Sequence, residues 1–386
     1  MSDVEKNIGT HKPEFAGERG IARIPLGRLL SKAPTAKCGR RNYPVLSATK
    51  DRGIIFQSDR FSKQIASADK SGYRIVERGQ LVMTIHLDQG VLGVQRIVDR
   101  GIVSPAYKVW DINENLVRPA YLEAALKSPR AIRYFKERGQ STVVGRCNVP
   151  DGELLKMPIS LPPFVAQDDA ISTLTKLNEL VEMGRGVLNT LDDLVKSQFV
   201  EMFGDTYSNS KQLPSRKLGA LIDFITSGSR GWSKYYSDEG DYFITIKNVR
   251  GCSISLDNVQ HVHAPNNKET ERTKVQSGDV LISITANLGR TGVVSKEIAD
   301  HGAYINQHLA CIRLAGEDIL PLYLSFFLES PGAKDQLQRK NQTGVKAGLN
   351  FDLVKSLDIL VPPLALQQQF ADFVARVDKL GFRSKA

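Results

Sequence analysis

The sequence predicts an α+β protein: two duplicated globular domains joined by a long central helix that pairs antiparallel with a shorter C-terminal helix. Three observations carry this. Leu161-Pro162-Pro163-Phe164-Val165-Ala166-Gln167 returns as Val361-Pro362-Pro363-Leu364-Ala365-Leu366-Gln367, 200 residues later. Further segments repeat at nearly the same offset. A heptad-spaced apolar stripe, too long for one small domain to bury, follows the first copy.

In chain order, Tyr43 to Ser47 and Gly53 to Phe56 read as short strands, as do Tyr242 to Ile246 and Ser253 to Leu256, from their β-branched and alternating content. The turn at Gly79 leads into Leu81-Val82-Met83-Thr84-Ile85, and Gly278 leads into Val280-Leu281-Ile282-Ser283-Ile284, an offset of 199. Gly93-Val94 matches Gly292-Val293 at that offset, and Tyr121-Leu122 with Ser128-Pro129 matches Tyr323-Leu324 with Ser330-Pro331 at 202. Arg118 to Lys136 and Pro321 to Lys340 have helical spacing. A period near 200 is far too long for a solenoid and marks duplicated domains. Strands, turns and a few helices without a βαβ rhythm make each module α+β.

From Asp168 to Phe203 the positions Leu174, Leu177, Val181, Gly184, Leu188, Leu191, Val195, Gln198 and Met202 step by alternating threes and fours. At ~1.5 Å per residue such a helix spans about 54 Å and needs a partner helix. Leu366, Phe370, Phe373, Val377 and Leu380 supply a shorter stripe, over about 24 Å. Part of the long seam therefore stays unpaired within the chain.

Net charge is +10, unevenly distributed. Residues 164–206 hold eight acids and three bases, a net of −5, which leaves +15 on the rest. A basic body around an acidic helix points to a polyanion partner for the body and a protein partner for the helix. No apolar run approaches the ~18 residues of a membrane span. The first twenty residues are polar and lack a signal-peptide core, so a cytoplasmic location is expected.

Enzymatic signatures are missing. Cys38, Cys147, Cys252 and Cys311 match no zinc or redox spacing, and the histidines form no HExxH, so no metal site is expected. Leu161-Pro162-Pro163-Phe164 approaches the amino-methyltransferase motif, but leucine cannot accept the substrate hydrogen bond. Prolines fixing a domain-to-helix corner explain both copies. Asp151, Glu153 and Lys156 mimic a nuclease PD…ExK, but on a strand Glu153 and Lys156 would face opposite sides. Asn287-Leu288-Gly289-Arg290-Thr291-Gly292 is a glycine turn without a P-loop, so no catalytic residue is assigned.

The Pro-Pro-x(3)-Gln corner, the central helix ending Gln198-Phe199-Val200-Glu201-Met202-Phe203-Gly204 and the duplicated modules together resemble the specificity subunit of type I restriction-modification systems. Val45 to Ile55 and Gly101 to Tyr107 are similar to one target-recognition-domain subtype; Ile246 to Val249 and Gly278 to Ile282 are similar to another. The resemblance implies a flexible segment 1–20, recognition domains at 21–164 and 207–363, a spacer helix at 165–206 and a short C-terminal helix at 364–386. It implies a non-catalytic subunit whose domains each read half of a bipartite double-stranded DNA site. The helices would set the gap and dock two methyltransferase subunits, and restriction subunits would join. S-adenosylmethionine, ATP and Mg²⁺ are expected on those partners, with no cofactor here.

Reading bases requires hydrogen-bonding side chains on loops beside strands. The candidates are Ser47, Lys50, Arg52, His86, Arg96, Thr142 and Arg146 in the first module. In the second they are Lys247, Asn248, Arg250, Asn287, Arg290, Gln307, His308, Thr343 and Lys346. Two other readings are a bivalent protein-binding adaptor and a stand-alone DNA methyltransferase or nuclease. The missing motifs speak against the latter.

Overall fold

A computed structural model describes residues 21–34, 36–59, 69–140, 147–285, 287–342 and 348–380. The chain divides into two units, Met1–Val181 and Glu182–Ala386. The segment 1–20 lies outside the described residues.

The first unit holds strands β1 (Ala22–Pro25), β2 (Leu30–Lys32), β3 (Leu46–Thr49), β4 (Gly53–Phe56) and β5 (Arg74–Glu77). These are followed by β6 (Leu81–Met83), β7 (Leu92–Val94), β8 (Arg100–Val103), β9 (Lys108–Ile112) and β10 (Pro158–Leu161). Its helices are α1 (Pro119–Leu126), α2 (Pro129–Arg138), α3 (Asp151–Leu155) and the start of α4 (Phe164–Phe203). Strands β2-β9-β6-β7 form an antiparallel sheet in that order. Strand β6 is buried on both faces. Leu81 and Met83 join Trp110, Leu122 and Phe135 on the helical side, while Val82 joins Leu46, Ala48 and Ile54 under the β3-β4 hairpin. A strand covered on both faces reads as a continuous apolar run, which is the pattern of this segment.

The second unit repeats the frame. Its strands are β11 (Ser215–Lys217), β12 (Ile222–Ser227), β13 (Tyr236–Ser237), β14 (Asp241–Ile244), β15 (Val249–Arg250) and β16 (Ser253–Ile254). The remainder are β17 (Gln260–Val262), β18 (Val280–Ser283), β19 (Thr291–Val293), β20 (Ala303–Ile305), β21 (Leu309–Leu314) and β22 (Asp358–Leu360). Helices α5 (Lys268–Thr273), α6 (Lys296–His301), α7 (Pro321–Glu329), α8 (Pro331–Gln342), α9 (Phe351–Lys355) and α10 (Leu364–Lys379) complete it. The antiparallel order β12-β21-β18-β19 matches β2-β9-β6-β7 strand for strand. A second sheet, β13-β17-β14-β20, has no four-stranded counterpart among the described residues of the first unit.

Each single helical stretch expected from the sequence is broken in two by its Ser-Pro pair. Pro129 opens α2, and Ser128 Oγ accepts the Ala131 N–H at 3.2 Å. Proline fits a first helical turn, and serine fills the cap. The repeated Gly93 and Gly292 also have a physical cause. A Cβ on Gly93 would stand 3.0 Å from the Gly53 backbone, and one on Gly292 would stand 2.7 Å from the Ser253 carbonyl. A hairpin crosses directly over each glycine.

The repeated glutamine is the strongest shared contact. Gln167 Oε1 accepts the Arg118 N–H (2.8 Å), while its Nε2 donates to Pro162 O (2.9 Å) and Leu116 O (3.5 Å). Gln367 Oε1 accepts the Leu320 N–H (2.8 Å), and its Nε2 donates to Pro362 O (2.8 Å) and Asp318 O (3.0 Å). Each amide caps the N-terminus of α1 or α7, where backbone donors lack helical partners, and ties it to the Pro-Pro corner. Tyr121 and Tyr323 reinforce the same joint by donating to Ser160 O and Leu360 O. Burial pushes the Tyr323 phenol up, so it stays a neutral donor.

The pair beside β6 and β18 is kept with different chemistry. Gln80 Nε2 donates to Asp111 Oδ1 at 2.7 Å. At the equivalent positions buried Asp279 takes a bidentate Arg313, at 2.8 and 2.7 Å.

Helix α4 starts at Phe164, four residues earlier than the seam suggests, directly after Pro163. The expected pairing with the C-terminal helix holds at its last turns: the Phe370 ring meets Phe199 at 5.3 Å and Phe203 at 5.6 Å, edge-on. Val195, Leu191, Met202, Leu366, Phe373 and Val377 share this core, and Leu188 is half-buried. The fully buried positions, Val195, Phe199 and Phe203, step by four and rotate off the heptad line. Tyr323 and Phe326 of α7, stacked on Phe199, draw that face toward the domain. Leu174, Leu177, Val181 and Leu380 are exposed, at 46%, 53%, 52% and 60%, and belong to none of the cores among the described residues. The decoy around Asp151 is helix α3 rather than a strand, with Glu153 paired to Lys156 at 2.9 Å and Asp151 to Lys108 at 2.7 Å.

Two predictions follow from these contacts. Gln367→Ala leaves one buried N–H and two carbonyls without partners, at roughly 1–3 kcal/mol each before relaxation. The expected net loss is about 2–4 kcal/mol in urea unfolding, and a loss below ~0.5 kcal/mol would remove the corner from the stabilising contacts. Glu123 of α1 binds Lys127 (2.9 Å) and Arg96 (2.7 Å) and accepts the Val94 N–H (3.2 Å). Burial opposes its ionisation, but Lys127 and Arg96 together hold the carboxyl below the usual range. A depressed folded pKa stabilises above the unfolded value and loses that stabilisation as pH falls through the folded one. Glu123→Gln should therefore cost about 1–3 kcal/mol at neutral pH, and the gap to the parent should close on acidification below ~4.5. A gap that widens in acid would contradict the assignment.

Candidate nucleic-acid interface

In the second unit, strand direction gathers loops at one end. Strand β12 ends at Ser227 opposite Ala310, and β18 ends at Ser283 opposite Leu309. Parallel strands β14 and β20 end at Ile244 and Ile305, and the Asn306 N–H donates to the Ile244 carbonyl at 3.2 Å. The segments 228–231, 245–248, 284–285, 287–290 and 306–308 therefore lie at the same end. Leu349 joins them by donating its N–H to Ile284 O at 2.9 Å. Three inter-strand steps of ~4.8 Å make this end about 14 Å wide.

Several sequence-selected side chains meet there. Gln307 Nε2 lies 3.0 Å from His308 Nε2, and His308 Nδ1 lies 2.9 Å from Thr285 Oγ1. With Gln307 Nε2 as donor, His308 Nε2 accepts and Nδ1 carries the ring proton, donating to Thr285 Oγ1. Asn306 Oδ1 accepts the His308 N–H at 3.1 Å. Lys247 and Asn287 are exposed on adjoining turns. Asn248 is buried, and its amide is consumed internally: it accepts from the Thr245 N–H and hydroxyl and donates to Ser255 O. It shapes the Lys247 turn instead of facing outward.

Arg250 and Arg290 are exposed around a neighbouring cleft of about 1030 Å³. Lys196 and Lys334 line it too, over a floor of Phe199 and Phe326. Glu329 is engaged, accepting the Thr291 N–H (2.9 Å) and the Cys252 N–H (3.4 Å). Thr343 and Lys346 lie outside the described residues.

The first unit disperses its candidates. His86 follows β6 at the corresponding sheet end, half-buried. Lys50 and Arg52 are exposed at the β3-β4 turn. Ser47 is buried at 5% in β3 and off the surface. Arg96 follows β7 at the opposite sheet end and is held by Glu123. Thr142 and Arg146 lie outside the described residues.

Sequence reasoning missed Arg230 and Lys234, both exposed in the segment after β12. The signal was present as cations interleaved with Trp232, Tyr235 and Tyr236. Among the described residues no three histidine, cysteine or acidic side chains are placed to hold a metal, and no helix is long and apolar enough to cross a membrane.

Comparison with known proteins adds to this geometry. Residues 216–385 match the family model of the type I restriction modification DNA specificity domain. The type I restriction enzyme EcoBI specificity subunit of Escherichia coli is 24% identical over 144 residues, 37% of this chain. That match spans 29% of the relative's length. Among solved structures, the type I restriction-modification S subunit from M. genitalium aligns with TM-score 0.49 and 12% identity, covering 94% of this chain and 90% of that one. The HsdS subunit from Thermoanaerobacter tengcongensis aligns with TM-score 0.36 and 16% identity, over 93% and 89%. The specificity-domain match falls within the second unit, and the first unit repeats the same sheet order and glutamine corner.

Proposed function

We propose that this chain is the DNA-specificity subunit of a type I restriction-modification complex, each unit reading one half of a bipartite double-stranded site. The carrying observation is the convergence of polar loops at one sheet end in the second unit, inside the region matched by the specificity-domain model. A row about 14 Å wide covers roughly four base-pair rises of ~3.4 Å. Gln307, His308 and Asn287 suit base edges there, and Lys247 suits phosphate. In the first unit His86, Lys50 and Arg52 are the corresponding candidates. The helices set the gap between half-sites and dock two methyltransferase subunits; restriction subunits join the assembly. The acidic helix and its exposed apolar stripe support a protein partner there. The methyl transfer to adenine N6 uses S-adenosylmethionine on the methyltransferase, and ATP and Mg²⁺ serve the restriction subunits.

Binding to double-stranded DNA should weaken steeply with salt. About six neutralised phosphates correspond to a ~10³-fold loss between ~50 and ~200 mM. Fluorescence anisotropy on the full chain measures this. Affinity indifferent to salt would favour the adaptor reading. Equal selectivity of the methyltransferase with and without this chain would end the specificity assignment.

A further inference from the structure

We infer that the segment Ser229 to Tyr236 chooses bases in the second unit, with Arg230 on a base edge and Lys234 on a phosphate. This rests on the proposed DNA-reading function and names residues that neither the sequence reading nor the family match assigns.

The segment leaves the loop-bearing end of the sheet. It follows β12 directly, and its base touches the Asn306 to His308 loop. A Cβ on Gly228 would fall 1.8 Å from the Ile305 carbonyl oxygen and 2.5 Å from the Asn306 carbonyl carbon. Only glycine lets the two backbones approach this closely, so the segment that carries Arg230 is anchored, two residues before it, on the Ile305–Asn306 backbone that leads into Gln307 and His308.

The segment is also locked from beneath. Trp232 is 5% exposed. Its ring stacks on Phe243 at 5.0 Å and 24° and packs against Tyr304 at 5.2 Å and Tyr235 at 6.0 Å. Its indole N–H donates to Ser229 Oγ at 3.3 Å. An exposed turn with a large buried aromatic anchor is ordered before it meets a ligand, which lowers the entropic cost of recognition.

The cations on this platform are available. Arg230 and Lys234 are exposed and pair with no carboxylate among the described residues; Lys234 lies 4.8 Å above the Tyr235 ring. Glu269 lines the same small depression without an ion pair to either. By contrast Arg216, Arg313 and Arg339 are committed to Asp318, Asp279 and Asp335. A planar guanidinium on a rigid mount matches the two acceptors of guanine in the major groove, N7 and O6. Lysine, a flexible point charge, matches a phosphate.

The test is selection of a randomised double-stranded DNA library by the full chain, alone and with its methyltransferase, comparing parent, Arg230→Ala, Arg230→Lys and Lys234→Ala. Arg230→Ala should relax one G·C position by roughly ten- to hundred-fold. Arg230→Lys should lose the same preference while keeping affinity for unrelated DNA. Lys234→Ala should weaken all sequences alike and reduce the salt slope by about one. The lysine variant preserves charge and bulk, so its result stands even if the alanine variant folds poorly. Unchanged base preference in both Arg230 variants, with Arg290→Ala altering it, would overturn this assignment and leave the DNA-reading function intact. A parent chain without sequence preference in either format would overturn both.

Discussion

Everything in each unit is hung on one buried amide. Gln167 and Gln367 each accept from the first N–H of a helix and donate to two carbonyls, one of them in the Pro-Pro corner. A glutamine can do this because one amide carries both an acceptor and two donors; a carboxylate or a lysine offers only one kind. The bridge fixes three things together: where the strand ends, where the outgoing helix begins, and where the helix packed on the sheet starts. Removing it would free the corner from the frame, and α4 and α10 leave the modules from those corners.

On that frame, chemistry has diverged where geometry has not. The sheet order is the same in both units, and so are the hairpins crossing over Gly93 and Gly292. The polar pair beside the second strand survives as Gln80–Asp111 in one unit and as Asp279–Arg313 in the other. A buried carboxylate demands a close cation, so the second unit had to change both members. By contrast, the segments leaving the sheet end share little. The second unit has a four-stranded sheet there, β13-β17-β14-β20, where the described residues of the first have the two-stranded β5-β8 and a single parallel bridge, Val45 to Ile102. A fixed scaffold with variable loops is the arrangement in which one fold can read different ligands.

Much of this was legible in the sequence because duplication exposes which residues the frame cannot lose. The corner glutamines, Gly93 and Gly292, and the Ser-Pro pairs each recur because a particular hydrogen bond, close approach or cap requires them. The heptad line was legible only up to the point where tertiary packing overrides it. Helical periodicity says that one face is apolar, and Tyr323 and Phe326 decide that Val195, Phe199 and Phe203 form it. Site residues were less legible for a related reason. A polar residue chosen by type can be spent internally, as Asn248 is on Thr245 and Ser255, or neutralised, as Arg96 is by Glu123. Glu123 lies 27 residues from Arg96, and the nearby Thr245 and Ser255 engage Asn248 only once their turn forms, so neither loss shows before the fold is known.

The same logic explains why cations in the second unit remain open while the long helix stays acidic. Ion pairs on an exposed surface add little stability, so stability alone gives no reason to leave Arg230, Lys234, Lys247, Arg250 and Arg290 unpaired or to pair them. Exposed cations left without ion pairs raise the self-repulsion of the folded unit, which an external polyanion relieves. Helix α4 has the opposite composition: eight acids and three bases in 164–206, beside leucines and valines about half exposed. Apolar side chains flanked by one sign of charge repel nucleic acid and favour a protein surface. On the proposed function this division would sort partners by charge, with DNA at the loop-bearing sheet end and protein along the helix.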